Sequence, residues 1–440
     1  MQTTVSPTKE KKIFPVYITA IDGRKFTEIS SYGLQKYFLK EHADYPIKSN
    51  TNLLTIHQDE QYFGDVRWVL KQQMPIKPIS EIRSKILSSS RVLKAIDYEA
   101  EQLMQKQGMS AEKARTRVRG EAEKVIKDLI AEVKVPVMRS MAYTLHKFFK
   151  SLYEKISLNM EMLEEIRAIE KDSEVPIVLL PTHRSYIDFL LISYVFFVYR
   201  LRLPNFVADE AILQANMLPL IIKSCGAFFF QKSNYRNSTL YRIVFDKYLE
   251  LLLRQGSTIE FFIEGTRSRT GKILAPDFDL LNVVLDSVVF EKVPDVCLIP
   301  LTVNYEKVLE GDTFPGELLG EEVLAETLWR VIKVLPKMKV NHGRVYIEIC
   351  KPLFPREIVS QTQLQFGGNK SQEMRRECVK VVGREIIRRL TNGVVVMSTA
   401  LVSSVLLMHR KGISEDDLIK TVNELAKYII KKGHKVGGVN

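Results

Sequence analysis

The chain has 440 residues, 45% hydrophobic and 26% charged, and carries a formal net charge of +12 at neutral pH. That length suits two or three domains at roughly 150 residues each, and the apolar content excludes a chain disordered in bulk. The basic excess favours an anionic partner (nucleic acid, an anionic membrane surface or a phosphorylated small molecule), although a solvated basic surface accounts for it equally well.

The N-terminal stretch MQTTVSPTKEKK lacks the apolar core of a secretory signal, and residues 1 to about 75 give little pattern. From Ile79 to Ile156 the apolar spacing predicts helices. One stretch, SAEKARTRVRGEAEKVIKDLIAEV, is rich in Ala, Glu, Lys and Arg, and its charges read as a solvated face. No aromatic residue is interleaved with them for stacking on bases, so no nucleic-acid partner is expected. Cys225, Cys297, Cys350 and Cys378 show no pair at metal-knuckle or redox spacing and are expected to be reduced structural thiols. The most apolar stretches, Phe189 to Val198 and Val394 to Met408, fall short of the roughly 18 to 20 residues of a membrane span. A soluble or membrane-peripheral protein is expected.

From about Val175 the pattern changes. VPIVLL, NFVAD, CGAFFF, STIEFFIEG, VCLIPLTVNY and RVYIEICKPL read as six strands. Helices are expected between them at about Tyr186 to Tyr199, Thr239 to Arg254 and Glu322 to Leu335. This alternation predicts an α/β fold, a sheet covered by helices on both faces. After Pro355 helices return, including Glu373 to Leu390 and Glu415 to Lys432. The division expected is a mainly helical N-terminal region at 1–156, an α/β domain at 157–355 and a helical C-terminal region at 356–440.

PTHRSYIDF follows the first of these strands. Pro181 suits a strand exit, and Ser185 followed three residues later by Asp188 resembles a capping box opening the next helix. Asp188 could therefore serve only the helix start. Residues five apart on one helix point about 140° away from each other, so cooperation between His183 and Asp188 places His183 before the helix, in the turn. An imidazole at the C-terminal end of a strand, with a carboxylate to fix its tautomer, is where α/β folds put chemistry.

FFIEGTRSRTGK, residues 261 to 272, follows another strand. Arg267, Arg269 and Lys272 lie among glycines and small hydroxyl residues, a composition suited to a phosphate dianion. It is not a P-loop: five residues separate Gly265 from Gly271, and Ile273 stands where a magnesium-binding hydroxyl belongs. Glu264, closing an apolar strand, is expected to anchor this loop from within. An exposed basic turn is the plainer alternative.

HRSYIDF, GAFFF, FFIEGTRSRTGK and IPLTVNYE, in that order, resemble the four blocks of the glycerolipid acyltransferase superfamily, and most closely its glycerol-3-phosphate/dihydroxyacetone phosphate acyltransferase family. The likeness is strong from about Val175 to Leu353. It implies transfer of a fatty acyl group from acyl-CoA to the free hydroxyl of dihydroxyacetone phosphate, with glycerol 3-phosphate as the alternative acceptor. In that scheme His183 is the general base and Asp188 its partner. Lys232, Glu264, Gly265, Thr266, Arg267, Ser268, Arg269 and Pro300 form the substrate site. Backbone amides at the helix start would stabilise the oxyanion, and Ser185 as nucleophile is the lesser alternative. No metal and no cofactor beyond the acyl-CoA co-substrate is implied. The resemblance also implies a peripheral place on the lumenal side of the peroxisomal membrane, with the endoplasmic reticulum or another intracellular membrane as alternative, and an alkyl-glycerone-phosphate synthase as partner. The chain ends in GGVN, without an S-K-L-like import signal, as a short form would. It departs from the family where an arginine pair is expected, having Gln231 and Lys232, and where P-K-F-G is expected, having Pro276-Asp277-Phe278-Asp279. An inactive scaffold on the same fold is the non-enzymatic alternative.

Overall fold

The computed structural model describes residues 13–14, 50–54, 64–72, 81–172, 175–209, 218–311, 314–320 and 341–437. The helix expected near Glu322 to Leu335 lies outside the described residues. At the centre is an eight-stranded sheet of β1 (Asn50–Asn52), β2 (Lys155–Asn159), β3 (Ile177–Pro181), β4 (Asn205–Asp209), β5 (Phe228–Phe230), β6 (Ile259–Glu260), β7 (Cys297–Tyr305) and β8 (Arg344–Ile349). Their spatial order is β1-β2-β8-β7-β3-β6-β4-β5. The run from β7 to β5 is parallel, whereas β8 lies antiparallel to β7 and β1 antiparallel to β2.

Alternation along β3 sends its side chains into two cores. Val178 and Leu180 join one apolar cluster, Ile177 and Leu179 the other. The first face is covered by α1 (Ser90–Gln107), α2 (Ala111–Leu129), α5 (Thr239–Arg254), α6 (Asp279–Val289) and α7 (Gln372–Gly393). The second is covered by α3 (Val135–Leu152) and α4 (Asp188–Val198). In α2 the buried positions are Ala114, Val118, Ala122, Ile126 and Leu129, one stripe at helical spacing. Its charges face outward in pairs such as Arg117 with Glu121, the solvated face expected. Serine side chains cap three helices: Ser238 accepts from the Tyr241 amide, Ser371 from Met374 and Ser414 from Asp417. Beyond α7, α8 (Ser398–Met408) and α9 (Glu415–Lys431) close a small core of their own around Leu401, Val405, Leu418 and Val422.

Three readings of the sequence need correction. The helical pattern taken to run to Ile156 stops earlier, because Lys155–Asn159 is a strand. Its three inner residues are buried and it pairs with β8, a tertiary partner that a local pattern does not reveal. The strand expected across STIEFFIEG is confined to Ile259–Glu260, since Phe262 to Gly265 turn away to serve the loop below. The helix expected from Tyr186 begins at Asp188. All four cysteines are free thiols, and burial pushes each well above the usual thiol range, to about 12 for Cys225, Cys297 and Cys350 and about 11 for Cys378. No helix among the described residues is long and apolar enough to cross a membrane.

Candidate active site

The site forms where β3 ends and α4 begins, at the C-terminal end of the parallel strands. His183 stands in the turn between them and stacks on Phe262, ring centroids 3.8 Å apart and planes 11° apart. Its Nδ1 faces Asp188 Oδ2 at 3.3 Å. The Asp188 side chain is fully buried, while His183 keeps 15% of its side chain exposed. The carboxylate is thus shielded and the imidazole open, an arrangement in which Nδ1 carries the proton toward Asp188 and Nε2 is free to accept one.

Asp188 also holds the backbone. Its Oδ2 accepts from the amides of Arg184 at 2.6 Å and Ser185 at 2.8 Å, and its Oδ1 accepts from the Tyr305 hydroxyl at 2.5 Å. The bond from the Ser185 amide is half of the anticipated capping box. The other half is altered: Ser185 Oγ accepts from the Ile187 amide at 3.3 Å and donates to the Glu310 carboxylate at 2.7 Å. Ser185 is fully buried and engaged, which removes it as a nucleophile.

The expected oxyanion donors are not available either. The His183 amide donates to Glu264 Oε1 and the Tyr186 amide to Glu310 Oε1, at 2.9 and 2.7 Å. The Asp188 amide donates to the Ser185 carbonyl at 3.3 Å. Every amide from His183 to Asp188 therefore has an internal acceptor: three carboxylates, one hydroxyl and one carbonyl satisfy this tight buried turn.

The second loop is tied to the first. Glu264 is 4% exposed and accepts from both the His183 amide and the Leu274 amide, the latter at 2.7 Å. It anchors the loop from within, as expected. Burial pushes its carboxyl above the usual range, and those two amides act against the rise. The Ser268 amide donates to the His183 carbonyl at 2.8 Å, and Arg184 donates to the Gly271 carbonyl. Gly265 sits at φ +69°, where a Cβ would come within 3.0 Å of Asp277 Cβ, so only glycine fits there. The Thr266 amide closes this turn onto the Glu264 carbonyl at 2.8 Å.

Arg267 and Arg269, which would point opposite ways along an extended chain, converge. The positive φ of Gly265 and Gly271 bends the loop out of the extended form that would separate them. Arg267 Nη2 lies 3.2 Å from both Glu317 oxygens, and Arg269 Nε is 2.8 Å from Glu317 Oε2. Arg267 also donates to the Tyr186 hydroxyl at 2.8 Å and lies 3.7 Å from that ring's centroid. Its side chain is 6% exposed, and its Nη1 is buried without a hydrogen-bond partner among the described residues. Arg269 is more open. Ser268 faces inward onto the Lys272 carbonyl.

Lys232 pairs with Asp277, and Arg236 with Asp279 at 2.9 Å. The two aspartates that depart from the expected pattern thus neutralise Lys232 of the second block and Arg236 beyond it. Pro300 is not at the loop: it is buried within β7, opposite Leu180. Glu310, Tyr305 and Glu317 belong to the site but were not singled out from sequence. Tyr305 lies within the IPLTVNYE block, which was the available signal; the two glutamates carry no local one. Beside α4 an apolar cleft is lined by Leu145, Leu190, Tyr194, Phe197, Phe206 and Ile222.

A sheet of this order with a histidine–carboxylate pair at the strand end and an arginine-bearing loop beside it has the features of an acyltransferase domain, and residues 157–304 match the Acyltransferase family model. Residues 315–439 match the model of the glycerol-3-phosphate acyltransferase C-terminal region. The two matches together make the chain similar to the glycerol-3-phosphate and dihydroxyacetone phosphate acyltransferases. It is 29% identical to dihydroxyacetone phosphate acyltransferase of Homo sapiens over 83% of this chain and 54% of the relative. It is 32% identical to the Mus musculus protein of the same name over 65% of this chain and 41% of the relative. With glycerol-3-phosphate acyltransferase 1, mitochondrial, of Bos taurus it shares 27% identity over 81% of this chain and 48% of the relative. The chain thus spans about half the length of the curated relatives it matches.

Proposed function

We propose that this protein transfers a fatty acyl group from acyl-CoA to the free hydroxyl of dihydroxyacetone phosphate, an early step of ether-lipid and glycerophospholipid synthesis. The observation that carries this is the open imidazole of His183 set 3.3 Å from the fully buried Asp188, beside the loop of Arg267 and Arg269. His183 Nε2 takes the acceptor's hydroxyl proton as that oxygen attacks the thioester carbonyl carbon. Asp188 stabilises the imidazolium. The tetrahedral intermediate collapses, the C–S bond breaks, and the imidazolium returns its proton to the CoA thiolate. Thiolate leaves readily, so the steps call on no covalent acyl-enzyme, no metal and no cofactor beyond the co-substrate.

Arg269, with Arg267 behind it, binds the acceptor phosphate, and Glu264, Gly265, Thr266 and Ser268 shape the loop that presents them. Lys232 adds charge only so far as Asp277 releases it. Glycerol 3-phosphate is the alternative acceptor, since the loop recognises a phosphate both molecules share. Because substrate and product are amphiphiles, the protein works at a membrane periphery, with the peroxisomal membrane as first choice and the endoplasmic reticulum as second. An alkyl-glycerone-phosphate synthase would consume the product. Purified protein given labelled palmitoyl-CoA and each acceptor separately tests the reading. Acyl transfer to dihydroxyacetone phosphate with the higher kcat/KM is expected. Preference for glycerol 3-phosphate would move the protein to the other branch, and no transfer to either would leave a scaffold.

A further inference from the structure

We propose that Glu310 is a positioning residue for acyl transfer: its buried carboxylate fixes the Ser185–Tyr186 peptide and so sets the His183–Asp188 pair and the Arg267 guanidinium in one geometry. The inference rests on the acyltransferase reading above.

Glu310 follows β7 in the chain and is 4% exposed. Its Oε1 accepts from the Tyr186 amide at 2.7 Å, and its two oxygens lie 3.0 and 2.7 Å from the Ser185 hydroxyl. Burying a second carboxylate beside Asp188 is costly, and each charge disfavours the other. Burial pushes the Glu310 carboxyl above its usual range, the donors from Tyr186 and Ser185 act against this, and the Asp188 charge adds to the rise. A turn that needed only closing could be satisfied by a neutral side chain or a water. The carboxylate here does something more specific: it takes two donors of the turn that Asp188 and Glu264 do not hold.

Asp188 Oδ2 takes the amides of Arg184 and Ser185 and faces His183 Nδ1. Glu310 takes the next amide, Tyr186, together with the Ser185 hydroxyl. Without it those two donors would turn toward Asp188, whose oxygens already have four neighbours, and His183 would lose its place in the competition. The effect does not stop at the histidine. The residue whose amide Glu310 holds, Tyr186, presents its hydroxyl and ring face to Arg267. One carboxylate therefore sets the distance between the proton acceptor and the cation that orients the acceptor's phosphate. A misplacement of about 1 Å at such a pair costs on the order of a hundredfold in rate.

The experiment uses the full chain, with steady-state kinetics for both substrates, direct binding of acyl-CoA and thermal melting. Glu310→Gln keeps the volume but removes the charge, and its N–H₂ forces the Ser185 hydroxyl to turn from donor to acceptor. It is expected to lower kcat about ten- to a hundredfold and raise the acceptor KM severalfold, with acyl-CoA Kd within about twofold of wild type. Ser185→Ala, which leaves the Tyr186 amide on Glu310, is expected to give a smaller loss. Combined with Glu310→Gln it should add nothing further, because both act through one turn. A melting temperature that falls while kcat and KM per folded molecule stay at wild-type values would make Glu310 merely structural, and additive losses would mean it does not act through Ser185. Should Glu310→Gln not fold, Glu310→Asp keeps the charge one methylene short, and wild-type kcat in it overturns the proposal. If neither folds, wild-type kcat in Ser185→Ala does the same. A wild-type protein silent with both acceptors defeats the acyltransferase reading itself; an active wild type with an equally active Glu310→Gln defeats this inference alone.

Discussion

In the turn from His183 to Asp188 the carboxylates hold backbone amides; in the loop from Glu264 to Lys272, beyond Glu264 itself, they hold cations. Asp188, Glu264 and Glu310 together take the amides of His183, Arg184, Ser185 and Tyr186. Glu317 takes Arg267 and Arg269, and Asp277 takes Lys232. The first arrangement has no competitor, since a substrate cannot replace a carboxylate beneath the chain. The second does, since a phosphate and a glutamate offer the same oxygens to the same guanidinium. Changes in the turn should therefore act on kcat, and changes in the loop on the acceptor KM.

The largest effect belongs to His183→Ala. A positioned general base is worth about 10² to 10⁴ in rate, and that loss is expected in kcat with the fold and acyl-CoA binding kept. His183 is partly exposed and the hydrogen bond its backbone amide donates to Glu264 does not need the ring, so melting should hardly move. Near-normal turnover in a single-turnover assay would break the division between the two loops at its strongest point.

Asp188→Asn comes next and separates charge from hydrogen bonding. The Tyr305 hydroxyl can turn from donor to acceptor for the new amide, leaving its oxygen for the amides of Arg184 and Ser185. Melting should fall by a few degrees at most, while turnover falls on the order of a hundredfold because the imidazolium loses its counter-charge. A large loss of stability with full activity in the folded fraction would return Asp188 to a helix cap.

Arg267→Ala tests the other side. Loss of a hydrogen bond to a charged group costs roughly 1.5 to 3 kcal/mol, about ten- to more than a hundredfold in acceptor KM. Acyl-CoA affinity should change little. Arg267 is nearly buried, so melting must be followed as well, and Arg269→Ala, at the more exposed member, gives the cleaner comparison. Loss of acyl-CoA binding with the acceptor KM kept would mean that this loop grips the CoA phosphates.

Much of this was legible before any coordinate. The alternation of apolar runs with helices gave the parallel strands, because strand burial on both faces writes a continuous apolar run such as IVLL. His183, Glu264 and Asp188 were legible because the first two follow apolar runs that read as strands and the third opens a helix, positions that imply exposure or a duty toward the backbone. β2 was not, since KISLN looks strand-like only beside β8. The pairing of Arg267 with Glu317 and of the Tyr186 amide with Glu310 spans 50 and 124 residues, and no local pattern encodes such contacts. The convergence of Arg267 and Arg269 was hidden for a nearer reason: alternate residues diverge in an extended loop, and two glycines at positive φ bend this one.

The smallest effect concerns Lys232 and Asp277. The side chains are 41% and 23% exposed, so the pair contributes little to stability, and Asp277→Asn should leave melting almost unchanged. Burial pushes the Asp277 carboxyl up, but the hydrogen bond and charge of Lys232 outweigh it and hold the carboxyl below its usual range. The stability this adds is present above the unfolded value and lost only as pH falls through the lower folded one, so the pair stays formed across neutral pH. What changes in Asp277→Asn is the charge offered to the acceptor. Lys232 becomes a free point charge, which should lower the acceptor KM a few-fold and make it more sensitive to salt. Lys232→Ala should move KM slightly in the other direction, and Gln231→Arg should lower it by restoring the second cation of the block. Titrations of dihydroxyacetone phosphate at two ionic strengths decide the matter. Equal KM values in all four proteins would show that the second block never meets the phosphate, and would leave Arg267 and Arg269 as the whole of the anion site.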